Sequence, residues 1–151
     1  MTKSWGTCTW YLFHTLAEKI KEEEFIKQKP QLLLLIKSIC YNLPCPECAS
    51  HAKIKINTLN ESAIKSKHDL KMMLMSFHNE VNISLGKPVF TENELNEKYK
   101  SANTTLIVQY FLQIWGKKSH NPKLMSEDLH KSRVIGNFIE WWNNNHSNYY
   151  S

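Results

Sequence analysis

A chain of 151 residues, 42% hydrophobic and 22% charged, is long enough for one domain with its own core and too short for several. Its formal net charge of +5 comes from scattered lysines, and Arg133 is the only arginine, so a solvated basic surface is expected and no nucleic-acid partner. The four glycines form neither G-x-G-x-x-G nor a P-loop, the N-terminus has no apolar leader, and "LLLLI" at 32–36 is far short of a membrane span, so a soluble protein with no signal peptide or transmembrane segment is expected.

The predicted elements are all helical. The first helix runs from Thr7 to about Lys27, with Trp10, His14 and Ala17 recurring on one face, and Pro30 is expected to stop it. A second spans roughly 31–42. Pro44 and Pro46 break it, and Pro46 suits the first turn of a third helix carrying Cys48, His51 and Ile54. The fourth, about 67–84, has Leu70, Met73, Leu74, Phe77 and Val81 as its buried stripe, and Gly86 in "LGKP" is a plausible cap. A short fifth helix covers about Glu92 to Lys100. Beyond it, Leu106, Ile107, Tyr110, Phe111, Ile114 and Trp115 form one apolar stripe, and Val134, Ile135, Phe138, Ile139 and Trp142 another, separated by the polar "GKKSHNPK". With no strand alternation and no repeats, the expected architecture is an all-α, four-helix bundle with a short fifth helix and a helical C-terminal extension.

Four cysteines are too few for a disulfide scaffold of this size, so the C-x-x-C in "NLPCPECASHA" reads as redox or metal chemistry. Read as zinc, Cys45, Cys48 and His51 would supply three ligands and His14 or His78 a fourth, making a non-enzymatic interaction module. Read as redox, a C-x-x-C that opens a helix points its thiols at unpaired backbone N–H groups and the positive end of the helix dipole, both of which favour thiolate. Cys8 and Cys40 read as inert core thiols. Elsewhere, Trp10 and His14 share one helix face, and His78 and Asn82 share another with Asn79 beside them. Together these describe a slot for a flat, aromatic, hydrogen-bonding ligand, with Lys87 placed to meet a phosphate.

Three segments carry a resemblance. "WGTCTWYLFHTLA" resembles the G-x-x-x-W-x-x-x-H opening of the Erv/ALR FAD-linked sulfhydryl oxidases, "LPCPECASHA" resembles their redox motif, and "FHNEVNISLGKPVF" resembles their HNxVNxxLGKPxF segment. The resemblance spans roughly residues 4–100, and the "LPCP-x-C-x-x-HA" wording is most similar to members encoded by large cytoplasmic DNA viruses. It implies an FAD-binding four-helix bundle, usually a homodimer, hence an oxidase domain over 1–100 and an extension over 101–151. It further implies that Trp10, His14, His78, Asn79, Val81, Asn82, Lys87 and Phe90 surround the flavin. Gly6 lies in the opening turn, Tyr99 stands where many members have a tryptophan against the cofactor, and His51 belongs to a form of the motif found in part of the family. Cys48 would be the flavin-proximal sulfur and Cys45 the outer one that meets substrate. A second, shuttle C-x-x-C is absent, so the electrons are expected to come directly from a protein dithiol or a thioredoxin-like relay and to leave on dioxygen as hydrogen peroxide. The expected location is the host cytoplasm, virus factory or virion. The extension would cap the bundle, extend a dimer interface or dock a relay.

Overall fold

The computed structural model describes residues 4–116 and 125–151, so most of the polar "GKKSHNPK" stretch lies outside the described residues. Seven α-helices occur among them: α1 (Ser4–Lys19), α2 (Phe25–Tyr41), α3 (Pro46–Asn57), α4 (Lys67–Ser84), α5 (Glu92–Tyr99), α6 (Thr104–Trp115) and α7 (Met125–Asn145). The all-α expectation holds, and among the described residues the sole β-type pairing is an isolated bridge between Ile20 and Tyr149.

Several helices begin where side chains cap free backbone donors. Ser66 Oγ accepts from Asp69 N–H at 3.1 Å, Thr91 and Glu94 form a reciprocal capping box, and Asn103 Oδ1 accepts from Leu106 N–H at 3.0 Å. Each such cap is worth about 1 kcal/mol. At the other end of α4, Gly86 adopts φ +69°, a left-handed conformation that strains a residue with a Cβ, and Lys87 N–H then returns to the Asn82 carbonyl at 2.8 Å.

The first two helices differ from expectation. α1 ends at Lys19 instead of continuing to Lys27, and Pro30 lies inside α2 instead of stopping a helix. Long-range contacts decide this boundary. Lys21 is extended, its N–H donates to Asn148 O at 2.9 Å, and Tyr150 N–H donates to Lys19 O at 2.7 Å. Lys67 Nζ reaches the same end of α1 and donates to the carbonyls of Glu18 and Ile20, each at 2.8 Å, where a cation complements the helix dipole. Pro30 removes one backbone bond near the start of α2, on a turn whose Ile26 faces solvent.

α1 packs chiefly on α6 and α4, and α2 packs on α3. The core joins Leu12, Phe13 and Leu16 of α1 to Leu32, Ile36 and Ile39 of α2 and to Leu70 and Leu74 of α4. Residues of the extension enter this same core. On α6 the buried positions are Thr104, Val108, Phe111 and Trp115, while Leu106 is 59% exposed; on α7, Val134 and Phe138 are buried and Ile139 is exposed. Trp115 Nε1 donates to the Thr9 hydroxyl at 3.1 Å in the interior, so α6 is tied to α1 by a satisfied polar contact as well as by packing.

Candidate active site

Cys45 is the N-cap of α3 and Pro46 opens the helix, where its missing N–H would have had no intrahelical acceptor. The extended backbone at Cys45 turns its side chain back over the first turn, and its Sγ accepts Cys48 N–H at 3.2 Å. The two cysteines are joined as a disulfide, with Cα atoms 5.1 Å apart, and both are half-buried. When the pair is reduced, a Cys45 thiolate keeps that N–H and the positive end of α3, so the helix favours ionisation of Cys45. α3 is held from below by buried Ala52 and Ile56 and from the side by Lys55, whose Nζ lies 2.7 Å from the Glu80 carboxylate on α4.

The second centre is a cluster of rings where α1 meets α4 and α5. His14 Nε2 and His78 Nδ1 are 2.9 Å apart in a hydrogen bond. The Trp10 ring lies flat on His78, with centroids 4.1 Å apart and planes 5° apart, and meets Phe77 edge-on at 5.1 Å. Phe90 lies 5.0 Å from His78 and Tyr99 lies 5.1 Å from His14. The expected slot between the two helices is therefore closed. One ring-to-ring contact takes about 3.5–4 Å, so no third ring fits between Trp10 and His78.

Phe90 owes its place to Asn79, whose amide nitrogen donates to Phe90 O at 3.0 Å and whose carbonyl oxygen accepts Phe90 N–H at 2.8 Å. Asn79 thus fixes the "LGKPVF" loop to α4. Asn82 is buried and Val81 half-buried next to it on α4; Lys87 is exposed on the loop. Gly6 is half-buried in the first turn of α1, where a Cβ would meet nothing within 4 Å, so the local packing does not require glycine. His51 is exposed on α3, one turn beyond Cys48, whereas His14 and His78 are bonded to each other. Among the described residues no group of three His, Cys, Asp or Glu side chains could hold a metal ion, so the ligands of the zinc reading are not gathered.

Sequence reasoning missed Lys98. Its Nζ sits over the rings of Tyr11, Phe90 and Tyr99 at 5.2, 5.4 and 5.6 Å, an arrangement in which the ring quadrupoles stabilise the cation. α1, the loop and α5 each contribute a wall, and no spacing in the chain announces that meeting. Desolvation first, then His78 and Lys98, pull His14 down to about 3. Desolvation, Lys98 and Lys87 pull His78 down to about 4. Both imidazoles are therefore neutral near pH 7, one donating and the other accepting the shared hydrogen bond. His14 Nδ1 and Tyr99 Oη are buried with no protein partner. Unspent hydrogen-bonding capacity in an aromatic cluster fits a flat ligand with polar edges, such as the flavin that the resemblance implies.

Comparison with known proteins bears on both centres. The model of the Erv1 / Alr family matches residues 7–100. The FAD-linked sulfhydryl oxidase ERV1 of Oryza sativa subsp. japonica is 34% identical over 94 residues, covering 62% of this chain and 48% of that protein. Its namesake in Arabidopsis thaliana is 38% identical over 85 residues, 56% of this chain and 44% of that protein. The putative FAD-linked sulfhydryl oxidase 096R of Invertebrate iridescent virus 3 is 28% identical over 99 residues, 65% of this chain and 67% of that protein. The chain thus spans about half the length of the plant relatives it matches. No solved structure matches it.

Proposed function

The chain belongs to the Erv1 / Alr family, and from that premise we propose that it is an FAD-linked sulfhydryl oxidase that makes disulfide bonds in client proteins. The observation that carries the reading is the Cys45–Cys48 disulfide at the start of α3, half-exposed and built around a helix N-cap. The relatives' names supply the cofactor and the reaction class.

A client thiolate attacks Cys45 Sγ, the Cys45–Cys48 bond breaks, and Cys48 leaves as a thiolate. The client's second thiolate then attacks its own partner sulfur in the mixed disulfide and displaces Cys45. Cys45 leaves as a thiolate held by Cys48 N–H and the α3 dipole, and a stabilised leaving group favours this release. The client dithiol has lost two electrons and two protons, and the Cys45–Cys48 pair holds the electrons. When bound, FAD would supply the redox chemistry by which that electron pair reaches dioxygen as hydrogen peroxide.

Trp10, His14, His78, Phe90 and Tyr99 would hold the flavin against the ring cluster, and opening of the cluster would bring the unpartnered His14 Nδ1 and Tyr99 Oη to its polar edges. Asn79 acts through Phe90, and Asn82 and Gly86 carry the loop that brings Lys87 round. Lys87 and Lys98 are the cations beside the cluster and suit the phosphates of the cofactor. Gly6, His51 and Val81 would complete the surroundings. We place the protein as a homodimer in the host cytoplasm, virus factory or virion, taking electrons from a protein dithiol or a thioredoxin-like relay; the iridescent-virus relative supports the viral setting. No helix of the described residues is long and apolar enough to cross a membrane.

Oxygen uptake with a small dithiol tests the proposal. The purified protein should show a flavin spectrum and consume oxygen in proportion to thiol, and Cys45→Ser should remove the uptake while the spectrum stays. A colourless protein that consumes no oxygen after incubation with FAD would end the oxidase reading.

A further inference from the structure

We propose that α6, which lies outside the family match, is part of the apparatus that shapes the ring cluster, and that Tyr110 is the positioning residue through which it acts. The inference takes its ligand from the oxidase reading; the positioning itself rests on geometry.

α6 runs antiparallel along α1 and is fastened to it at both ends. At one end Trp115 Nε1 donates to the Thr9 hydroxyl, which itself donates to Trp5 O at 2.5 Å; Thr9 immediately precedes Trp10. At the other, the Thr104 hydroxyl donates to Tyr150 O at 2.7 Å, and Tyr150 N–H donates to Lys19 O. Between these fastenings Tyr110 places its ring 6.4 Å from that of Tyr11, tilted by 45°. Tyr11 in turn lies 6.4 Å from Tyr99 and beneath the Lys98 ammonium. Tyr99 is buried and packs on His14, which is bonded to His78.

Tyr110 is thus the outer support of a wall whose inner side is the ligand cluster. A half-buried Tyr11 without that support regains rotamer freedom, and Lys98, exposed at its outer side, loses one of the three fixed rings that hold its ammonium in place. The extension contributes the support from a helix already anchored in the core by Val108, Phe111 and Trp115. Tyr110 touches neither histidine, so its role is positional.

The test uses the full chain carrying Tyr110→Leu, which keeps apolar volume and removes the ring, with Tyr110→Phe as the conservative control. Two quantities are read: the pH titration of the His14 and His78 ring protons by NMR, and FAD affinity by flavin fluorescence. An aromatic contact is worth about 0.5–1.5 kcal/mol, so Tyr110→Leu should weaken FAD binding up to about tenfold. It should also move the histidine titrations toward the ordinary range, because Lys98, whose charge lowers both, is no longer held in place. Tyr110→Phe should leave both at wild-type values. Wild-type histidine titrations in Tyr110→Leu would overturn the proposal, whatever the FAD affinity. Should that variant fail to fold, Tyr110→Met carries the same comparison. Wild-type protein that binds no FAD would sink the oxidase reading alone, because the histidine titrations decide the positioning role without the cofactor.

Discussion

Two pairs of cysteines occupy this molecule, and only their surroundings separate them. Cys45 and Cys48 stand half-exposed at the mouth of α3, joined to each other, with a backbone N–H directed at the Cys45 sulfur. Cys8 and Cys40 are free and buried in the core, at 0% and 1% exposure, and burial pushes both thiols up to about 12. Thiolate chemistry needs a charge that can be stabilised; the helix start supplies that stabilisation and the core denies it. The difference teaches that a cysteine count says little about redox capacity until each thiol's access to dipoles and water is known.

The comparison breaks or stands first on turnover. Cys48→Ser should lower thiol oxidation by about three orders of magnitude or more while the protein still binds FAD, whereas Cys8→Ala and Cys40→Ala should stay within about twofold of wild type. Equal losses at all four positions, measured as initial oxygen uptake, would erase the distinction. Alkylation sharpens it next. In the reduced native protein, iodoacetamide followed by peptide mass analysis should find Cys45 modified about a thousandfold faster than Cys8 or Cys40 near neutral pH, as thiolate fractions dictate. Unfolding should bring all four cysteines to one rate.

Acid should expose the same desolvation rule in the histidines. The folded values of His14 and His78, about 3 and about 4, lie below the unfolded value near 6.5. Between those limits the unfolded chain binds more protons, so their contribution is complete above about pH 6.5 and is lost as pH falls toward 4. The slope should approach about 1.4 kcal/mol per pH unit for each histidine forced to stay neutral. Urea melts across this range should show it, and His14→Gln with His78→Gln should flatten it. The smallest effect falls on the quiet cysteines. Cys40→Ala should cost about 1–2 kcal/mol of stability as a small core cavity, and Cys40→Ser somewhat more, because a buried hydroxyl would need a partner.

Much of the fold was legible where local chemistry decides it. The α4 span of 67–84, the start of α3 at Pro46 and the Gly86 turn follow from caps, prolines and a clear apolar stripe, and each stands in the structure as expected. The α1–α2 boundary did not, because it is drawn by Tyr149 and Tyr150, more than a hundred residues away in sequence. The stripe of α6 was right at Ile107, Tyr110, Phe111, Ile114 and Trp115 but wrong at its start, where Leu106 is exposed and Val108 is buried. "LIVQYFLQIW" is apolar nearly all round, so a stripe through Leu106 fits the pattern as well as the observed one through Val108. In the site, the ring residues of α1 and α4 were recoverable from their spacing, but the closed Trp10–His78 stack and the Lys98 ammonium over three rings arise from three elements meeting. No single stretch of sequence encodes that.

The pairing of α1 with α6 also has a consequence in time. Thr9 and Trp115 are 106 residues apart in the chain. At about 5–20 residues per second, a ribosome needs roughly 5–20 s to make α6 after α1. Throughout that interval the nascent chain carries an amphipathic helix without its main partner, and Cys8 and Cys40 have not yet been sealed into a finished interior. The thiols that are inert in the mature protein pass through a period of ordinary reactivity before the interior closes over them.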